Sequence, residues 1–393
     1  MPERRMNIQG RVEPGFEAVR EAFAHNFEAH SEVGAAVCIY RGGAPVVDLW
    51  GGRADPESGR PWQRDTLAIV FSTTKGITAA CIARLAERGE LDVEAPVARY
   101  WPEFAANGKA DIRVCDVMSH RAGLAEVAGR FTLEEVCEGT AVVEALAKQA
   151  PQWTPGSAHG YHVRSYGWIL GEVVRRVTGL RFGAVLAREL AAPLGLANDL
   201  FVGLPAAQDA RVARLLPAPE PADPKERELR ARFMGPDTRL GRALSGPSNL
   251  FAYGEMWNTR LLRGAEMPSS NGIATARALA RVYAAQVGAV DGVRLLAPET
   301  VERFRAVQVD GPDLVILVPT RFGLGFALPP MLSPECPEGC FGHPGAGGSL
   351  AFADPDAHIG FGYAMNQMQM GLTGDARAAS LVRALYDSLR RGR

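Results

Sequence analysis

The strand-like segments of this 393-residue chain lie near its two ends, and that distribution restricts the folds it can form. Residues 35–40 and 45–50 are apolar, extended runs separated by a glycine-containing turn, which predicts a hairpin. Four further strand-like runs lie near the C-terminus, at 314–318, 322–327, 349–353 and 359–365. Residues 90–265 contain no comparably strong strand pattern. We therefore expect strands from both ends to share one mostly antiparallel sheet.

Apolar residues recur at helical spacing in several other segments. The predicted helices are 12–30, 72–89, 134–149, 166–178, 274–287 and 376–389. A proline-rich stretch at 217–224 predicts an extended connector, and the charged residues 225–233 behind it predict a surface helix or a lid. The predicted fold class is α/β (α+β), with an antiparallel central sheet flanked by helices and a mostly helical second lobe.

The same order of elements predicts two domains. Residues 1–90 and 270–393 are expected to form a discontinuous α/β domain, and residues 91–269 a mainly helical one. A functional site is then expected in the crevice between them.

The charge balance and hydropathy of the chain argue against some classes of partner. It carries 43 Lys and Arg against 44 Asp and Glu, a formal net charge of −1, so we expect neither nucleic acid nor a membrane surface as partner. No run of 18 apolar residues predicts a membrane span. Residues 1–5 are charged and no apolar run follows, so no secretory signal is expected and the predicted location is cytoplasmic.

The six cysteines are scattered through apolar or helical segments, which is typical of buried free thiols in a reducing compartment. Cys336 and Cys340 lie close in sequence, so pairing or metal binding stays open for these two. No H-E-x-x-H, Walker-A or G-x-G-x-x-G pattern is present, and His159 and His162 lack the further ligands of a metal motif. We expect no metal and no cofactor.

An apolar, extended run at 66–71 leads directly into Ser72, and Lys75 follows three residues later. Residues i and i+3 of a helix lie on one face, so the lysine amine can reach the serine hydroxyl. A serine hydroxyl needs a base to become a nucleophile, and a lysine can be that base if burial or a nearby cation lowers its pKa from about 10.4. The pattern alone is more typical of a serine that merely caps a helix.

Two later motifs occur in order with this one. Residues 161–163 read Tyr-His-Val, and residues 341–348 read Phe-Gly-His-Pro-Gly-Ala-Gly-Gly. Together with the 116–124 segment, they resemble the class C β-lactamase-like, penicillin-recognising serine hydrolase superfamily over about residues 15–390. Val163 stands where the β-lactamases carry Asn, and His343-Pro344-Gly345 replaces Lys-Thr-Gly. Both departures are similar to those of family VIII carboxylesterases.

The resemblance implies a serine carboxylesterase acting on small-molecule esters, with short to medium acyl chains and weak β-lactam hydrolysis. By this resemblance Ser72 is the nucleophile and becomes acylated, and Lys75 with Tyr161 forms a coupled general base and acid. The backbone N–H groups of Ser72 and Ala346 are expected to form the oxyanion hole.

The substrate-binding residues implied in the same way are His343, Gly345, His162 and Val163. For His343, a plain turn residue before Pro344 is the alternative.

Other functions and roles stay open. An acyltransferase, a DD-peptidase or a β-lactamase fits the same scaffold, and a non-catalytic binding module is the remote alternative. The oligomeric state is open, with a homo-oligomer among the alternatives. Arg164 and Tyr166 either position Tyr161 or lie on the surface. The walls of the acyl pocket are sought in 225–260, which includes Phe233, Phe251 and Trp257, and in the loop 329–341.

Overall fold

A computed structural model describes residues 7–371 and 375–391 of the chain. Residues 1–5, on which the expectation about a secretory signal rests, lie outside the described residues. Among the helices that are described, none combines the length and the apolar character needed to cross a membrane.

Short and long strands alternate with helices along the chain. The strands are β1 Gln9–Val12, β2 Gly34–Arg41, β3 Ala44–Asp55, β4 Arg60–Pro61, β5 Ala68–Ile69, β6 Leu200–Phe201, β7 Ile273–Ala274, β8 Val309–Pro312, β9 Pro319–Phe322, β10 Phe341–Pro344, β11 Leu350–Asp354 and β12 Ile359–Met365.

The helices are concentrated in the middle of the chain and flank the strands at both ends. The α-helices are α1 Glu17–Ala29, α2 Thr73–Glu87, α3 Val97–Tyr100, α4 Val114–Met118, α5 Leu133–Glu138, α6 Thr140–Lys148, α7 Ser165–Thr178, α8 Phe182–Leu186, α9 Pro224–Met234, α10 Arg239–Ser245, α11 Arg260–Gly264, α12 Ala276–Val287, α13 Pro298–Arg305 and α14 Ala376–Arg391. Shorter 3₁₀ or π segments lie at Pro102–Ala105, Ala187–Ala191, Ala206–Arg211, Glu255–Asn258 and Ala346–Gly348.

Strands from both ends of the chain share one antiparallel sheet, which confirms the predicted fold class. Its order is β1-β3-β2-β12-β11-β10, with β4 paired to β3. The pairing of β12 with β2 joins the two ends of the chain, and Tyr363 lies opposite Val37 in that register. Two smaller sheets, β5-β7-β6 and β8-β9, lie outside this order. The division into two domains with the boundaries given above stays a prediction.

Helices cover both faces of the sheet. On one face α12 lies directly on β12, where a Cβ on Gly360 or Gly362 would come within 2.3 Å of helix backbone atoms. Glycine at these two positions therefore lets the helix approach the strand closely. On the other face α1 and α14 pack over apolar side chains of the strands, with Phe23, Ile39 and Leu385 fully buried in one cluster.

The N-terminal elements differ in part from the sequence predictions. The hairpin is confirmed by β2 and β3. The predicted helix 12–30 begins only at Glu17, because Val12 belongs to β1 and pairs with Val47. The predicted helix 134–149 is two helices, since Gly139 between them adopts a left-handed conformation with φ of 94°. A single glycine does not disturb the apolar periodicity of a sequence, so the break was not visible there.

The predicted strand 314–318 is wrong, because these residues form the turn between β8 and β9. The Asp313 carboxylate caps this turn by accepting hydrogen bonds from the backbone N–H groups of Val315 (2.8 Å) and Ile316 (3.0 Å). Aspartate commonly stabilises turns in this way. Leu317 then takes a positive φ of 61°, which a strand does not allow.

The other predicted C-terminal elements match to different degrees. The predicted strand 322–327 is wrong apart from Phe322, the last residue of β9, because Gly325 with φ of 79° turns the chain away. β11 and β12 agree with the predicted runs 349–353 and 359–365 within one residue. The charged segment 225–233 forms α9, a surface helix with no buried residue.

Candidate active site

The start of α2 places Ser72 at a sharp turn of the backbone. The extended run predicted at 66–71 is a strand only at Ala68–Ile69, and Phe71 after it has a positive φ of 42°. Such a conformation is costly for a bulky residue and occurs mainly at functional sites. The Phe71 ring is held by Tyr253 and Trp257, with centroid distances of 5.2 and 5.1 Å. Ser72 follows as the N-cap residue of the buried helix α2.

Lys75 lies one turn into the same helix and is fully buried. Its Nζ is 3.3 Å from Ser72 Oγ, and it donates to the carbonyl oxygens of Val163 at 2.8 Å and Ser269 at 3.1 Å. Lys75 has no ion-pair partner within residues 7–371 and 375–391. Two N–H groups are thus used by carbonyls, which leaves the lone pair of a neutral amine for the Ser72 hydroxyl.

The electrostatic surroundings of Lys75 favour this neutral form. Burial lowers the pKa of Lys75 well below its usual value, and the nearby Arg164 guanidinium lowers it further. Arg164 is itself buried, and no carboxylate pairs with it among the described residues. Its guanidinium instead donates to the carbonyl oxygens of Ala243 and Leu244 and lies 4.2 Å from the centroid of the Phe251 ring. The suggested surface position for Arg164 is therefore wrong, and so is that for Tyr166, which is fully buried.

Tyr161 is brought against the Ser72–Lys75 pair by the loop that precedes α7. The Lys75 Nζ lies 4.7 Å from the centroid of the Tyr161 ring. Burial raises the pKa of Tyr161 above its usual value, and the Ser72 hydroxyl opposes this shift only in part. The phenol is therefore protonated at neutral pH and can act as a proton donor.

Residues that no motif indicated hold Tyr161 in place. The Asp313 carboxylate accepts a hydrogen bond from the Tyr161 backbone N–H at 3.1 Å. The Phe322 ring stacks on the Tyr161 ring at a centroid distance of 5.9 Å, and the His120 ring packs against it at 4.9 Å. His120 belongs to the 116–124 segment, whose resemblance to the superfamily was noted above, but no sequence pattern indicated its contact with Tyr161.

His162 and Val163 lie behind the tyrosine. The Nε2 atom of His162 accepts from the Leu124 backbone N–H at 3.0 Å, while its Nδ1 lies 2.7 Å from the Gly160 carbonyl oxygen. Both ring nitrogens are thus used within the protein, and burial lowers the pKa of His162 to about 4. These contacts tie His162 to the loop that carries Tyr161. Substrate binding by His162 and Val163 stays a prediction. Val163 contributes its carbonyl oxygen to Lys75.

The loop after β10 lies against the start of α2. The Ser349 hydroxyl donates to the Val70 carbonyl oxygen at 2.9 Å and lies 3.1 Å from the Thr73 Oγ1. A Cβ on Gly345 would lie 2.3 Å from the same Val70 oxygen, so only glycine fits this approach. These contacts bring Ala346, the next residue, beside the start of α2.

Two backbone donors are free at this point. Within the described part of the chain, neither the Ser72 nor the Ala346 backbone N–H donates a hydrogen bond to another protein group. Buried backbone N–H groups are almost always paired, so two free donors on adjoining segments are suited to one ligand oxygen.

His343 lies in β10 next to this loop, and its ring is 6.0 Å from that of Tyr161 between centroids. Its Nδ1 lies 2.7 Å from the Pro344 carbonyl oxygen, which fixes the proton there, and the buried Nε2 has no partner among the described residues. Burial lowers the pKa of His343 to about 3, so the ring is neutral at physiological pH.

A cavity of about 530 Å³ lies beside Tyr253, whose ring contacts Phe71 next to the candidate nucleophile. Its lining includes Met234, Leu244 and Phe251. Trp257 stacks on Phe251 from behind, whereas Phe233 is 45% exposed and lies outside the lining.

All six cysteines are free and buried, and Cys340 contacts the Tyr386 hydroxyl at 3.2 Å. No group of three or more His, Cys, Asp or Glu side chains arranged for a metal ion occurs in the described residues.

Comparison with known proteins identifies the family. Residues 19–384 match the model of the Beta-lactamase family. The chain is 38% identical over 375 residues to the esterase/beta-lactamase LipL of Mycobacterium tuberculosis, covering 93% of this chain and 85% of that protein.

Solved structures agree with this result. A family VIII carboxylesterase superposes with a TM-score of 0.87 at 39% identity and covers 97% of this chain and 100% of its own. EstA from Arthrobacter nitroguajacolicus Rue61a superposes with a TM-score of 0.87 at 34% identity and covers 98% of this chain and 100% of its own. The resemblance inferred from the three motifs is confirmed: the chain belongs to the β-lactamase family and is similar to the family VIII carboxylesterases within it.

Proposed function

We propose that this protein is a serine carboxylesterase that works through an acyl-enzyme on Ser72. The observation that carries the proposal is the hydrogen-bonding of Lys75. Its amine donates to the carbonyl oxygens of Val163 and Ser269 and has its lone pair left for the Ser72 hydroxyl 3.3 Å away. A buried amine held in this way can act as a general base. A serine that only caps a helix has no need of such a base beside it.

Acylation begins when the Ser72 oxygen attacks the ester carbonyl and its proton passes to the Lys75 amine. The carbonyl oxygen becomes an oxyanion, which accepts hydrogen bonds from the backbone N–H groups of Ser72 and Ala346. The tetrahedral intermediate then collapses, the bond to the alcohol breaks, and the Tyr161 hydroxyl donates its proton to the leaving oxygen. The Lys75 ammonium returns a proton to the Tyr161 oxygen, so the pair ends in its starting state.

Deacylation repeats these steps with water in place of the alcohol. Water loses a proton to the base pair and attacks the acyl carbonyl, and the Ser72 oxygen leaves as a hydroxyl. One ester and one water give one acid and one alcohol. The same free donors at Ser72 and Ala346 serve both oxyanions.

Two residues support ordinary esters over β-lactams as the main substrates. Val163 offers no side-chain amide, and His343 is a neutral ring with a pKa of about 3 instead of a cation. A cation at that position would attract the carboxylate of a β-lactam, and a neutral imidazole does not. The relative LipL is described as both an esterase and a β-lactamase, which supports weak β-lactam hydrolysis as a side activity.

We assign acyl groups of short to medium length to the cavity beside Tyr253. Its volume of about 530 Å³ lies within the usual range for small-molecule sites, roughly 300–1,000 Å³. Phe251, Leu244 and Met234 offer an apolar lining for an alkyl or aryl acyl group. We assign Gly345, close to the Val70 carbonyl oxygen, and His343, whose ring is 6.0 Å from that of Tyr161, to a second wall that faces the substrate.

The test uses nitrophenyl esters of increasing acyl length with wild type and Ser72→Ala. We expect turnover that peaks at short to medium chains and falls by at least about 10³-fold in Ser72→Ala. Equal activity of the two proteins would overturn the proposal. An added alcohol acceptor tests the acyltransferase alternative. That alternative is supported if more transfer product than free acid is formed.

Partners and location follow from the same proposal. We assign small-molecule esters as the partner, without nucleic acid or membrane, and a cytoplasmic location. The six free, buried thiols support a reducing compartment. Cell fractionation and light scattering test the location and the oligomeric state.

A further inference from the structure

Arg377 is a buried cation on the C-terminal helix that contacts residues 345–348, the loop after β10 that we call the oxyanion loop. It lies in the first turn of α14 and is 1% exposed. Its Nη2 donates to the Gly347 carbonyl oxygen at 2.7 Å. Gly347 directly follows Ala346, whose backbone N–H is one of the two free donors. The reaction sequence proposed above does not use Arg377.

The guanidinium is fixed by partners on several elements. Its Nη1 donates at 2.9 Å both to Glu32 Oε1 and to the Gln367 carbonyl oxygen. Its Nε donates to Asp375 Oδ2 at 2.9 Å. The Tyr363 hydroxyl of β12 in turn donates to Glu32. Charge-assisted hydrogen bonds in several directions leave the guanidinium one orientation.

The loop that Arg377 contacts contains two consecutive glycines, so its backbone has few conformational restrictions. Gly347 and Gly348 have positive φ angles of 84° and 125°, and glycine populates many other conformations with similar ease. A Cβ on Gly348 would lie 2.3 Å from Asp375 Oδ2 and 2.7 Å from Arg377 Nη2. The glycine therefore allows the ion pair to approach the loop from behind.

We propose that Arg377 is a positioning residue that fixes the Gly347 carbonyl and thereby aims the Ala346 N–H at the oxyanion. The inference rests on the proposed function, because it assigns a support to that oxyanion hole. Donors for an oxyanion must be preorganised to within a fraction of an ångström, and a loop containing two consecutive glycines does not provide this alone. The cluster of Glu32, Asp375 and Arg377 supplies the missing rigidity.

The test is Arg377→Lys. A lysine keeps the charge, but its single ammonium cannot reach Gly347, Glu32 and Asp375 in the geometry of a planar guanidinium. We expect kcat for a short-chain ester to fall about 10- to 100-fold with KM changed less than about threefold. Binding of a boronic acid, which places an oxygen in the oxyanion hole, should weaken by a similar factor.

Asn26→Ala is the matched control. The Asn26 amide donates to the Arg377 backbone carbonyl at 3.2 Å and accepts from Ser380, so its loss loosens α1 against α14 without touching the guanidinium. This variant should lose thermal stability but keep kcat and boronate affinity. If Arg377→Lys does not fold, Glu32→Gln replaces it. Glu32→Gln removes only the charge that pairs with Arg377 Nη1, so the effect should be smaller. We expect kcat to fall a few-fold and the affinity for the boronic acid to fall by a similar factor.

Wild-type kcat and boronate affinity in a folded Arg377→Lys protein would overturn this inference alone. Equal losses of kcat and boronate affinity in Asn26→Ala would also overturn it. They would show that Arg377 acts only through the packing of α14. Failure of the proposed function has a different signature, since Ser72→Ala would then keep its activity whatever Arg377 does.

Discussion

The Nζ atom of Lys75 lies 3.3 Å from Ser72 Oγ, and its two hydrogen bonds to the carbonyl oxygens of Val163 and Ser269 define which way its lone pair points. Three segments far apart in sequence therefore set the geometry of the proposed base. No carboxylate within the described residues pairs with it, which separates this amine from the lysines of ordinary ion pairs.

Replacing Lys75 by Met should separate activity from stability. The activity should fall by about 10³-fold or more because the base is lost. The pKa of Lys75 is lower in the folded chain than in the unfolded one, so between the lowered pKa and about pH 10 the unfolded chain binds a proton that the folded chain does not. Burial of this amine thus costs stability at pH 7, and the melting temperature of Lys75→Met should be unchanged or higher.

The control for Lys75→Met is Lys109→Met. Lys109 is also buried and donates to two backbone carbonyls, those of Ala106 and Gln149, but it lies away from Ser72. This variant should keep its esterase activity. Calorimetry and ester turnover on both variants check the prediction, and a large loss of stability in Lys75→Met with activity retained would contradict it.

The acidic limb of the pH–rate profile should depend on Arg164. Arg164 helps to lower the pKa of Lys75, and the base works only above that pKa. Loss of the cation in Arg164→Met raises the pKa, so the limb of kcat/KM moves to higher pH. Arg164→Lys keeps a positive charge and should keep the limb near its wild-type position. An unmoved limb in Arg164→Met, or equal movement in both variants, would show that the charge is not responsible.

Other titratable groups facing Lys75 should not mask this shift. The residues near it are two tyrosines and three histidines on neighbouring elements: Tyr161, Tyr166, His120, His162 and His343. Burial raises the pKa of both phenols and lowers that of all three imidazoles, so these groups are neutral near pH 7.

Tyr161→Phe should be most harmful for esters with poor leaving groups. If the phenol protonates the departing oxygen, its loss costs about 10²–10⁴ in kcat for an ethyl ester. A nitrophenolate leaves without protonation, so the loss in acylation should be much smaller for a nitrophenyl ester. Single-turnover rates on the two substrates give the comparison, and equal losses would assign the tyrosine a role other than leaving-group protonation.

Gly345→Ala should damage the oxyanion loop by a steric contact. The new Cβ would lie 2.3 Å from the Val70 carbonyl oxygen, and neither backbone group can yield cheaply. We expect kcat to fall about 10- to 100-fold as the loop shifts away from α2. Gly288→Ala, where the nearest atom is 3.8 Å away, is the control and should behave as wild type. A Gly345→Ala enzyme with normal kcat would contradict the assigned closeness of loop and helix.

Local sequence patterns predicted the sheet, α2 and the three motif residues because each depends on short-range periodicity or on a motif. The contacts that hold these residues in place were not predictable in this way. Asp313 supports Tyr161 across 152 positions, and Ser269 supports Lys75 across 194. A single aspartate or serine has no local signature, so only the folded chain shows what it contacts.

The error at 314–318 has the same origin. The apolar character of these residues favours a strand, whereas the Asp313 carboxylate accepts hydrogen bonds from the Val315 and Ile316 N–H groups that follow it and holds them in a turn. Side-chain capping of this kind competes with strand pairing and is not visible in hydrophobic periodicity.

Covalent labelling tests the central claim most directly. The protein is treated with an alkyl phosphonate ester and the adduct is located by mass spectrometry of its peptides, with Ser72→Ala and Ser349→Ala as comparisons. We expect one adduct per chain on Ser72 in the wild type, an adduct on the same residue that forms more slowly in Ser349→Ala because the loop loses a contact with α2, and none in Ser72→Ala. An adduct on another residue, or undiminished labelling of Ser72→Ala, would contradict the assignment of Ser72 as the nucleophile.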